Sequence, residues 1–314
     1  MHVTRWEFLV LVTLAAAAAP PALGQDAAPA VGPAGARGSQ SAASVPDFSG
    51  IWGHPFLTGG LEPPLSGPGP VTNRSRRNGV SSIYQFVGDY TNPILQPWAA
   101  EVVKKHGEIS LTGVTYPTPG NQCRPEPVPF IFRNLGMTLL QQPRQVTFLY
   151  SDNHEVRRVL LDQPHPAQLT PSWYGDSVGR YDGDTLLIDT VGIRTGPLAM
   201  VDVYGTPYTE ALHVVERYRL LDYEAAREAQ KRGGIENAGV GNAGWVADPS
   251  YRGKGLQLQF TIEDPGAFTM PWSALITYRR PSVAQWEEIV CAENPHEYYA
   301  GKITAVPTAD KPDF

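Results

Sequence analysis

The 314-residue chain reads as all-β and mainly antiparallel, a barrel- or sandwich-like single domain with a few short helices. Three observations predict this class. Several segments alternate apolar and polar residues with the period of a half-buried strand, most clearly residues 145–150 and 256–262. Asp182-Gly183 is a strong two-residue hairpin signal, and the residues after it continue as a strand over 184–191. Turn residues recur at short intervals, and only two stretches read as helices of any length.

Residues 1–24 have the form of a secretory signal peptide: Arg5 early, an apolar run over 8–19, and a small-residue site at Ala22-Leu23-Gly24. The apolar run is shorter than the roughly 20 residues a membrane-spanning helix needs. No other stretch approaches that length, so no membrane span is expected and the protein should be periplasmic or secreted. Residues 25–45 are almost entirely Ala, Gly, Pro, Ser and Gln, a composition too poor in apolar surface to offset chain entropy; a disordered linker is expected. The folded domain should span 46–307, with a tail at 308–314. The net charge is −6 and no basic patch is evident, which argues against a nucleic-acid partner. A small-molecule ligand or substrate is the expected partner; oligomeric state is not legible.

Residues 47–53 open the fold as a short strand carrying Trp52. Residues 97–106 form a helix with Pro97 at its first position and Gly107 as its stop. Pro125, Pro127 and Pro129 exclude a helix over 121–129. Strands follow over 145–150, 155–161 and 213–220, the last favoured by the β-branched pair Val214-Val215. Residues 222–232 form a second helix, capped by Asp222 and ended by Gly233-Gly234, with a glycine-rich loop to 255; the whole of 222–255 reads as an insertion. Strands at 256–262 and 273–278 and a short element at 286–291 complete the domain. Cys123 and Cys291, in an oxidising compartment, are expected to pair; the competing reading is two separately buried thiols.

Several stretches, in this order, carry a resemblance: Cys123-x-Pro125, QVTFLYSDN, RRVLLDQPHP, YGDSVGRYDGDTLLIDTVG, TEALHVVERYR, FTIEDPGAFTMPW and EEIVCAEN. Together they resemble a large family of exported bacterial proteins with motifs of the form TWxGHSxGxWxGDTLVVDT, SExLxxxERF, DPxxYxxPW and CxEN. The resemblance spans about residues 47–294 in blocks and brings no established activity with it. The chain departs from the family pattern at Asp176, where a His is frequent, at Tyr208-Thr209, where His-Ser is common, and at Asp162-Gln163, where the family reads DGR. A site built on the first of those histidines must work here with a carboxylate.

Four places compete for the chemistry. His165, between Pro164 and Pro166, is held on extended backbone beside the loop of Trp173, Asp176 and Ser177. An imidazole so directed suits acid–base work near neutral pH; the bland alternative is a loop imidazole bonded to backbone. In the 213–220 strand, Glu216 shares a face with Val214 and Tyr218 while His213 and Arg217 share the other. A carboxylate on the apolar face would serve as a general acid or base, or else form a structural ion pair with Arg157 or Arg180. Asp184-Thr185 and Asp189-Thr190 offer a further catalytic pair, but these residues, with Asp182, read first as turn and strand scaffolding bonded to local backbone. Asp264-Pro265 reads as a turn, with Trp272 packing or lining a pocket.

The leading expectation is an exported enzyme using His165, Asp176, His213 and Glu216 for acid–base chemistry on a small neutral or aromatic metabolite, as a hydrolase, lyase or isomerase. Trp173, Tyr181 and Trp272 would line the pocket. The alternatives are a lipocalin-like ligand-binding barrel and a structural or partner-binding envelope protein. His165, Asp176 and His213 are ligand types acceptable to zinc or iron, but no HxH, HxxxH or CxxC spacing accompanies them, so no metal or other cofactor is assigned. Residues 239–244 mimic GxGxxG without the flanking strand and helix, and no P-loop or GxSxG elbow occurs.

Overall fold

In the computed structural model the described residues are 45–54, 60–82, 84–114, 116–237, 250–281 and 290–291. Every described residue belongs to the unit Ala43–Phe314. The signal-peptide, linker and tail expectations, and most of the 286–291 element, fall outside the described residues.

The domain is a nearly closed barrel. Its nine strands are β1 (Gly50–Gly53), β4 (Gly136–Gln142), β5 (Gln145–Tyr150), β6 (Val156–Leu161), β7 (Asp176–Asp182), β8 (Thr185–Val191), β9 (His213–Leu221), β10 (Gly255–Glu263) and β11 (Trp272–Tyr278), adjacent in that order. Strands β2 (Arg76–Arg77) and β3 (Val80–Ser81) form a separate ribbon. The ends of the sheet meet where Gly53 and Arg279 exchange backbone hydrogen bonds of 2.6 and 2.9 Å. Every strand pairing is antiparallel except β6 with β7, which run parallel through Leu160–Val178 and Leu161–Gly179. Parallel neighbours cannot be joined by a tight hairpin. The segment 162–175 therefore crosses back outside the barrel, and this crossover carries His165.

Alternation decides what faces inward. Leu186, Ile188 and Thr190 of β8, Val214, Glu216 and Tyr218 of β9, and Leu256, Leu258, Phe260 and Ile262 of β10 are all buried. Phe132, on the 3-10 turn Phe130–Arg133, packs edge-on against Phe260 at 5.2 Å, and its carbonyl accepts a 2.5 Å hydrogen bond from Tyr278 Oη. These rings fill the lumen with side chains. Phe48 and Tyr181 stack at 6.5 Å at the end of the barrel where β7 turns into β8.

Local differences from the sequence reading have physical causes. Helix α1 runs Pro97–Leu111, straight through Gly107, because that glycine lies against Val87; a Cβ there would come within 3.1 Å of Val87 Cγ1. Helix α2, Tyr223–Glu236, likewise continues past Gly233-Gly234. Its N-cap is Asp222, whose carboxylate accepts from Ala225 N at 2.8 Å, and it ends at Asn237, which bonds back to Gly233 O. The β7–β8 turn is Gly183-Asp184, one residue later than expected: Asp182 pairs with Thr185, and only Gly183 takes a positive φ, +59°. Strand β4 escaped the sequence reading because Leu139-Leu140 breaks its alternation, leaving Leu140 exposed. Cys123 and Cys291 form a disulfide across 168 residues.

Candidate acid–base site on the outer face of the barrel

Outward-facing residues of β7 to β10 meet the β6–β7 crossover in a chain of alternating acids and imidazoles. His165 Nδ1 lies 2.6 Å from Asp176 Oδ1, and its Nε2 lies 3.0 Å from Asp189 Oδ1. The same Asp189 oxygen is 3.1 Å from His213 Nε2. His213 Nδ1 faces Glu263 Oε2 at 3.6 Å, across the β9–β10 register that pairs the two residues. The groups are half-buried, their side chains 25–52% accessible, so solvent reaches them.

The electrostatics follow from the donors. With a carboxylate on each ring nitrogen, His165 is an imidazolium donating both N–H groups. Burial by itself would lower its pKa, but the hydrogen bonds it donates to Asp176 and Asp189 outweigh that and hold it above the usual histidine value. Asp189 also orients His213, through Nε2, while Glu263 faces the other ring nitrogen at 3.6 Å.

Three of the four residues expected to act together, His165, Asp176 and His213, thus lie in one network. Glu216 does not. It points into the barrel, 0% exposed, where the Arg157 guanidinium meets it through Nη1 at 2.9 Å and Nη2 at 2.5 Å. Ser177, Thr190 and Tyr218 complete that internal network at 2.8–3.3 Å, with Arg157 over the faces of Phe132 and Phe148. Strand parity is the reason: Glu216 is three residues from His213, so their side chains leave opposite faces. Of the two readings of Glu216, the ion pair with Arg157 is the one present.

The three expected pocket aromatics do not share a pocket. Trp272 is 1% exposed, packed against Phe260 and Phe268. Tyr181 accepts from Gln141 Nε2 at 2.9 Å beside Phe48. Trp173 stands outside under the Arg194 guanidinium, 5.3 Å from the ring centroid.

Sequence reading ranked Asp189 as scaffolding before catalysis and did not single out Glu263. Asp189 looked like hairpin scaffolding, yet it is the residue both imidazoles contact. Its signal was its parity: on β8 it alternates with the buried Ile188 and Thr190 and must face out. A second missed group is Glu155, whose carboxylate accepts from Glu126 N at 3.0 Å. Burial, then the neighbouring Glu126 charge, raises its pKa to about 8. Among the described residues no group of His, Cys, Asp or Glu has the arrangement of a metal site; the nitrogens of His165 are already committed to carboxylates.

Beside this network runs a groove of about 250 Å³ over β7, β8 and β9, with Asp189 in its wall and Val178, Leu187 and Val215 along it. No family profile matches the chain, and comparison with characterised proteins and with solved structures finds no similar protein.

Proposed function

We propose that the protein is an exported acid–base enzyme of the hydrolase, lyase or isomerase type, acting on a small molecule bound in the groove over β7–β9. The observation that carries this reading is the single carboxylate oxygen of Asp189 holding two imidazoles at 3.0 and 3.1 Å. A carboxylate behind an imidazole fixes its tautomer and stabilises its protonated form, which is what a general base needs. In this reading His213 Nδ1 takes a proton from the substrate or from water, and Asp189 and Glu263 stabilise the resulting imidazolium. His165, protonated between Asp176 and Asp189, holds the Asp189 carboxylate in place, and the proton gained at His213 Nδ1 is the one handed back to the product or leaving group. Side chains fill the barrel lumen, so a ligand finds functional groups on the outer groove rather than inside. The disulfide fits an oxidising compartment, in keeping with export to the periplasm or beyond.

The test is a panel of small aromatic and aliphatic esters, lactones and α-acidic carbonyl compounds, followed by hydrolysis or by deuterium wash-in from D2O. His213→Ala and Asp189→Ala should each lower turnover by about 10²–10⁴-fold, the range of general-base contributions. Variants that unfold like the wild type and turn substrate over at the wild-type rate would sink the proposal.

A further inference from the structure

The groove has a second functional end. Leu187 of β8 pairs with Arg180 of β7 on one side and Arg217 of β9 on the other. The three side chains therefore form one cross-strand row on the outer face, with an arginine on each flank of a leucine. Both arginines are exposed and line the groove, and neither has an ion-pair or hydrogen-bond partner among the described residues. The next row towards the histidines is Val178, Asp189 and Val215. Like charges set two strands apart gain nothing from each other: the backbones are roughly 9.5 Å apart at two strand spacings, and the long side chains can converge over Leu187. Asp162 lies on the groove rim and Asp182 lies two residues along β7 from Arg180 on the same face, and neither forms an ion pair with either arginine among the described residues. Along β8, Leu187 and Asp189 are two residues apart, or roughly 7 Å.

The geometry points to an oxyanion subsite formed by Arg180 and Arg217, and hence to an anionic substrate: a carboxylate or phosphate carried on a short apolar body about 7 Å long. The apolar body lies on Val178, Leu187 and Val215, the anion is clamped by two guanidinium forks, and the other end of the molecule is delivered to Asp189 and its histidines. The charge separation orients the substrate as well as binding it. The acidic end (Asp176, Asp189, Glu263) repels the anion and the arginine end attracts it, so only one binding direction is favoured. This departs from the neutral ligand that composition alone suggested. It rests on the groove being the substrate site proposed above, but it makes a claim about binding that can fail or hold independently of catalysis.

The test uses three probes of nearly equal size: benzoate, phenyl phosphate and the neutral benzamide, titrated into the full-length protein by NMR at low and high salt. At least one of the anions should bind about tenfold or more tightly than benzamide, with shifts on β7–β9 and affinity falling as salt rises. Which anion binds better identifies the headgroup as carboxylate or phosphate. Arg180→Ala/Arg217→Ala should bring the anions to within about twofold of benzamide, and the Lys/Lys double variant should restore part of the preference. Equal affinity of all three probes, or a preference that survives the double Ala variant, overturns the inference. Anion preference at these residues alongside an inert His213→Ala/wild-type comparison would instead remove the catalytic reading and leave the binding site standing.

Discussion

Replacing Glu216 by Gln would leave the Arg157 guanidinium charged in a site where both side chains are 0% exposed. Burial lowers the Arg157 pKa and Glu216 more than offsets it in the wild type; without Glu216 the guanidinium still keeps its proton, because arginine's intrinsic pKa is too high to be relieved that way. Gln keeps the shape and one acceptor, so the perturbation removes the counter-charge and turns one of the two acceptors of Arg157 into a donor. Removing one partner of a buried ion pair costs about 3–5 kcal/mol because the other charge stays desolvated. For a domain of this size each kcal/mol moves Tm by about 2–4 °C, so Glu216→Gln should melt roughly 6–20 °C below wild type. The companion variant Arg157→Met/Glu216→Leu replaces both charges with apolar volume and should recover most of that loss, since a buried pair is worth little against a hydrophobic replacement. Urea unfolding at pH 7 with a common m-value measures both. If Glu216→Gln unfolds within about 1 kcal/mol of wild type, Glu216 is not the counter-ion of Arg157 in the way described. A turnover defect in a Glu216→Gln protein of unchanged stability would return it to the list of acid–base candidates.

Two further predictions concern Glu155 and the disulfide. Glu155 has its pKa raised to about 8 from an ordinary 4.5, so the native state binds a proton there that the unfolded chain has already lost. Its contribution is therefore full below the unfolded pKa and is lost as pH rises through about 8, a difference worth at most about 5 kcal/mol. Glu155→Gln, which keeps an acceptor for Glu126 N, should match wild type near pH 4.5 and be the more stable protein above pH 8; parallel stability curves across that window would contradict it. The Cys123–Cys291 disulfide closes a loop of 168 residues, for which chain entropy sets a ceiling of about 5 kcal/mol. Cys123→Ser/Cys291→Ser should lower the urea midpoint accordingly, and an unchanged midpoint would mean that the bridge constrains little in the unfolded chain.

The alternation of apolar residues along 145–150, 213–220 and 256–262 determined strand identity and which side chains enter the core, because the period of a strand is a local property. The same parity separated His213 from Glu216 before any tertiary structure was known: residues an odd number apart on one strand face opposite ways. The two cysteines and the His165–Asp176 loop could likewise be singled out from residue type and spacing. Sequence could not decide the neighbours. That β6 and β7 lie parallel, and that the crossover between them lays His165 on the outer face, is a matter of strand order, which no local pattern encodes. Asp189 became the centre of the acid–base network only through its register against β7 and β9, and Glu263 only through its pairing with His213. Arg157 was one of two candidates for Glu216, and strand order and alternation chose between them: Arg157 on β6 shares the interior with Glu216 across β7 and β8, whereas Arg180 alternates to the outside. Local chemistry set each residue's character, and the curvature and strand order of the closed sheet chose its partners.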